Sequence, residues 1–150
     1  MLLNPHRFAI SGSSDPNWGS VTLLLKGIGT NGSTSIIDSS YARAITPQGN
    51  AQISTARSKF GTSSIRFDGS GDALTTAMVS DFAFGSGDFT VEGWYWLDNR
   101  DGDPYLFSTI NSDGTIRMAI QAMSGGNLRL YTAVSAGVGA VFGAAGTVPT

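Results

Sequence analysis

Apolar and polar residues alternate in short bursts along this chain, and glycine-rich punctuation separates the bursts. In SSIRFDG (63–69), Ile65 and Phe67 share one side of an extended backbone while Arg66 and Asp68 share the other. YLFSTI (105–110), TIRMAIQA (115–122) and NLRLYTAV (127–134) continue the strand-like pattern. NSDG and MSGGN join them, where Gly or Asn supplies the positive φ of a tight hairpin. These three segments predict a β-meander. Upstream, VTLLLK (21–26) reads as the first strong strand. Weaker strands are expected around 44–46 and 51–54, on either side of the turn cluster PQGN. ALTTAM (73–78) is the expected partner of SSIRFDG across a Gly-Ser-Gly-Asp turn. No window sustains the 3.6-residue period of a helix.

FTVEGWYWL (89–97) carries two of the three tryptophans. Phe89, Val91, Tyr95 and Leu97 fall on one face, and Thr90, Glu92, Trp94 and Trp96 on the other. Both faces turn apolar toward the end, which predicts a central strand covered on both sides, its aromatic rings in the core. Gly-Ser-Gly-Asp occurs twice, at 69–72 and 85–88, and reads as a repeated corner in which Asp72 or Asp88 accepts backbone hydrogen bonds. The stretch 133–146 reads as flexible or loosely strand-forming. Residues 1–20 read as an arm or linker before a β-domain spanning 21–150.

Composition narrows the chemistry. With 150 residues the chain fits one domain, and with no cysteine it can form neither disulfides nor thiolate metal sites. Charged residues are only 13% and the net charge is −2, so a nucleic-acid partner lacks an electrostatic basis. No segment approaches the roughly 18 apolar residues of a membrane helix, and the N-terminus shows no secretory apolar run. A cytoplasmically made protein is expected.

The ordered series VTLLLK, the Asp38-Ser39 pair, KFG (59–61), FDG with its Gly-Asp corner, and DFTVEGW resembles the concanavalin A-like jelly rolls of the laminin-G/pentraxin type. The similarity is greatest to those of phage and bacterial surface proteins, and it runs over roughly residues 18–132. It implies an all-β fold, an antiparallel two-sheet jelly-roll sandwich. It also implies a glycan-binding, adhesive or structural role. Similar domains continue with further strands where this sequence reads GTVPT, so an incomplete sandwich is expected, its edges inviting association with other subunits.

Related glucanases need several acids on one strand. Glu92 is the only glutamate, and His6 the only histidine, so neither that acid set nor a histidine-based triad can be assembled from these residues. An enzyme is therefore not expected. In LDNRDGDPY (97–105), Asp98, Asn99, Asp101 and Asp103 gather hard oxygen donors that suit calcium, although the same residues also form ordinary turns. Trp94, Trp96 and Tyr105 are the candidate glycan-stacking rings. Two function classes follow: a non-enzymatic structural or interaction module of a phage-type virion or appendage (capsid decoration, tail or fibre), built into an assembly as a homo-oligomer at the particle surface; or a lectin-like domain that binds cell-surface glycan, with Ca2+ as an assisting ion.

Overall fold

A computed structural model describes residues 16–99, 101–110, 114, 116–134 and 137–142. They fall in two compact units, one reaching Trp94 and the other starting at Tyr95. Every strand pair is antiparallel. Helical geometry among the described residues is limited to single 3-10 turns at Trp18–Ser20 and Ser80–Phe82. The all-β class expected from alternation therefore holds. Residues 1–15 of the expected arm, His6 among them, lie outside the described residues.

The first unit is built around one bent ribbon. Its strands are β1 (Thr46–Gln48), β2 (Gln52–Ser54), β3 (Ser64–Arg66) and β4 (Ala73–Thr75). β1 pairs with β4, and β2 pairs with β3. The pairing thus runs from Thr46↔Thr75 to Ser54↔Ser64, interrupted where the chain turns at 49–51 and 67–72. At this bend, side chains replace the missing ladder. Asn50 N–H donates to Asp72 Oδ1 (2.7 Å), Asp68 N–H donates to Asp72 Oδ2 (2.6 Å), and the Asn50 amide donates to Asp68 Oδ2 (2.6 Å). Gly49 is required here. Its φ is +64°, and a β-carbon would overlap the Asp72 carboxylate and lie 2.9 Å from the Gly71 carbonyl oxygen.

ALTTAM does not pair with SSIRFDG, because the first Gly-Ser-Gly-Asp motif turns the chain along the ribbon instead of reversing it. Its Asp72 accepts backbone hydrogen bonds, as the corner reading requires. The second copy is closed differently. Phe84 and Phe89 stack across it, with centroids 4.3 Å apart and planes 14° from parallel.

β2 lies in the middle of the unit. Its outer edge takes up the 30–33 loop through Gly32 N–H to Ile53 C=O and Ile53 N–H to Ser33 C=O, both 2.8 Å. Ala51 and Ile53 are consequently buried, and with Leu24, Ile36 and Phe82 they form the core of this unit.

VTLLLK departs from expectation: it makes a single bridge, Leu25 to Asp38, and no ladder. A competing acceptor explains this. Leu24 N–H donates to Asp38 Oδ1 (2.9 Å), while the Thr22 carbonyl accepts from the Ser40 hydroxyl and from Arg43 Nε (both 3.1 Å). Side chains have taken the backbone groups that a neighbouring strand would use.

The second unit contains the meander, extended by one strand: β5 (Tyr105–Ile110), β6 (Ile116–Ala122), β7 (Leu128–Val134) and β8 (Gly137–Phe142), adjacent in that order. β8 comes from the stretch read as flexible or loosely strand-forming. β6 is central and buries Met118, Ala119, Gln121 and Ala122, so both of its faces are covered. The β5–β6 ladder slips twice, between Tyr105 and Phe107 and between Thr109 and Ile110. β6–β7 and β7–β8 run in continuous register. Asn111, Ser112 and Asp113 of the first expected hairpin turn lie outside the described residues.

Residues 89–97 correct the sequence reading most sharply. No residue of this segment joins a ladder among the described residues. Phe89, Trp94, Tyr95 and Trp96 are exposed, not core. Large side chains on both faces of a strand are buried only where a layer covers each side, and alternation along the segment does not by itself supply those layers.

Candidate functional site

The proposed calcium loop belongs to the second unit, and the hydrogen bonds its side chains make are structural. Trp96 Nε1–H donates to Asp98 Oδ1 (3.0 Å), and Asp101 N–H donates to Asn99 Oδ1 (3.3 Å). Asp103 sits at φ +51°. Its carboxylate accepts from Ser124 N–H (2.6 Å) and its carbonyl from the Gln121 amide (3.2 Å). Asp103 thereby pins the loop to the β6–β7 hairpin. No group of three or more His, Cys, Asp or Glu side chains placed to hold a metal occurs among the described residues.

The candidate glycan rings are divided between the units. Trp96 is 64% and Tyr105 54% exposed in the second unit, while Trp94 is 54% exposed in the first. Trp94 is held by a T-shaped contact with Phe60 (5.8 Å between centroids), and the Lys59 ammonium lies 4.3 Å from its centroid. A tryptophan that is fixed yet half exposed presents a ring on which an apolar sugar face can stack. Tyr95, between the two tryptophans, donates its hydroxyl to the Leu106 carbonyl (3.2 Å). Burial around that hydroxyl raises its pKa above the ordinary value, although half of the residue faces solvent.

The strongest electrostatic feature was not singled out as a site from the sequence. Asp38 is 2% exposed and accepts five hydrogen bonds, from Leu24 N, Ser40 N, Ser40 Oγ, Tyr41 N and Arg43 N. Burial opposes its ionisation, but the bonds from the Ser40 hydroxyl and from the Ser40, Leu24 and Arg43 amides outweigh it, and the carboxyl is held at about 2. Beside it, Arg43 pairs with Asp81 and lies against the rings of Tyr41 and Phe82, 5.3 and 5.5 Å from their centroids. The available signal was the tripeptide Asp38-Ser39-Ser40, an Asx-turn sequence directly after Ile36-Ile37. Asp38 is engaged by four of the chain's own amides and one hydroxyl, so this knot positions backbone.

No family model, curated protein or solved structure matches this chain. No helix among the described residues is long and apolar enough to cross a membrane.

Proposed function

We propose that this protein is a non-catalytic interaction module with a concanavalin A-like jelly-roll arrangement, serving as a structural component of a phage-type virion or appendage. Other subunits, copies of itself among them, complete its sheets at the particle surface. The observation that supports this reading is residues 89–97, a segment with the composition of a central strand that has no ladder among the described residues and exposes its rings. Such a segment gains ladder bonds and apolar cover when another polypeptide pairs with it. Sedimentation velocity over a concentration series, with tryptophan emission recorded in parallel, tests it. The expected result is concentration-dependent association accompanied by a blue shift. A monomer at every concentration with unchanged emission overturns it.

The second reading is a lectin-like glycan-binding domain, favoured by the fixed and half-exposed ring of Trp94. Calcium assistance through Asp98, Asn99, Asp101 and Asp103 would require the side chains of Asp98, Asn99 and Asp103 to exchange their present hydrogen bonds for the ion. A glycan array read with and without calcium separates the two readings.

A further inference from the structure

The first unit contains an open cleft of about 370 Å³ that neither reading above uses. Its floor is the β2–β3 pair, whose register sets Gln52 directly opposite Arg66. Its wall is the 30–33 loop, tied to β2 by the two bonds of Ile53 and by Asn31, whose Oδ1 accepts from Thr55 N–H (3.0 Å) and Thr55 Oγ1 (3.4 Å). The site is thus held by backbone and by one side-chain amide fixed at its carbonyl end. Ile53 and Ala56 are the only apolar residues of the lining.

The lining is rich in donors and contains no carboxylate. The Arg66 guanidinium makes no hydrogen bond or ion pair within 4 Å among the described residues. The nearby acid is occupied: Asp68 accepts from the Asn50 amide and from Ser70 N–H. The Arg66 charge favours the ionised form of Asp68 without being neutralised by a close pair. A planar guanidinium with unspent donors, set beside carboxamides, matches a planar carboxylate in bidentate geometry and hydroxyls around it. The volume lies at the small end of ligand pockets, and the polar lining does not suit an apolar ligand.

We propose that this cleft binds a single carboxylated sugar, a uronic acid unit, with Arg66 on the carboxylate and the Gln52 and Asn31 side chains on ring hydroxyls. One bidentate contact in an open cleft gives a dissociation constant on the order of millimolar. The site is independent of both association through 89–97 and ring stacking on Trp94.

The test is an amide and arginine-Nε NMR titration of the 150-residue chain with sodium galacturonate, galactose and sodium sulfate in turn. The expected result is saturable shifts at Arg66 Nε and at the amides of Gly32, Thr55 and Arg66 with galacturonate alone. Arg66→Ala should weaken binding at least tenfold with the remaining spectrum intact, since Arg66 is exposed, and Trp94→Ala should leave it unchanged. Equal response to galactose overturns the carboxylate, equal response to sulfate overturns the sugar, and silence at these amides overturns the site. Sedimentation of the same samples reports association separately, so failure here leaves that reading intact.

Discussion

The two units are both antiparallel β, yet different bonds hold them. In the second, four strands of six or seven residues share a backbone ladder. In the first, the paired strands are three residues each, and the connections between them are closed by carboxylates that accept backbone amides. Cohesion in a ladder is spread over many similar bonds. In the first unit it is concentrated in Asp38, Asp68 and Asp72. The difference teaches that similar fold content can carry opposite sensitivity to single substitutions and to acid.

The largest expected effect tests that concentration directly. Asp38→Ala leaves four amides and the Ser40 hydroxyl without their acceptor, and should destabilise the first unit by about 4 kcal/mol. Hydrogen exchange should show lost protection at Leu24 and Ile53 with β6 and β7 unchanged. Equal loss in both units would break the comparison.

Acid is the next lever. The folded pKa of Asp38, about 2, lies below its ordinary 3.8, so its stabilisation is complete above about pH 4 and disappears as pH falls through 2. The shift corresponds to roughly 2 kcal/mol. Urea midpoints of the first unit measured between pH 5 and 2 should follow this slope, and Asp38→Asn should flatten it.

The smallest effect belongs to the second unit. Asp103→Ala removes the bond to Ser124 N–H and should cost about 1 kcal/mol, because the adjoining ladder stays complete. Proteolysis within 98–104 should accelerate while the circular dichroism of the sheet is preserved. A loss as large as that for Asp38 would mean the ladder is less self-sufficient than its register indicates.

The same contrast explains what was legible in the sequence. β5, β6 and β7 could be placed from alternation and turn residues because a ladder requires little else. VTLLLK is no less plausible as an apolar, β-rich run, but its neighbour is a carboxylate fourteen residues on, and residue pattern does not register a side chain that substitutes for a strand. The pairing of β4 with β1 was hidden for the same reason: Asp72 and Gly49 decide it across a gap in sequence. Among the candidate site residues, Asp98, Asn99 and Asp103 are placed as turn and clamp, which their residue types allowed from the outset. The exposure of Trp94 and Trp96 was not legible, because aromatic character signals burial in general and does not register whether a particular segment joins a ladder.

Asp72 has a mechanical consequence. One carboxylate grips Asn50 on one limb of the ribbon and Asp68 on the other, so neither half can peel away without releasing the same two bonds. A pull applied at either end would meet a shared catch at the elbow, and the limbs should yield together in a single step.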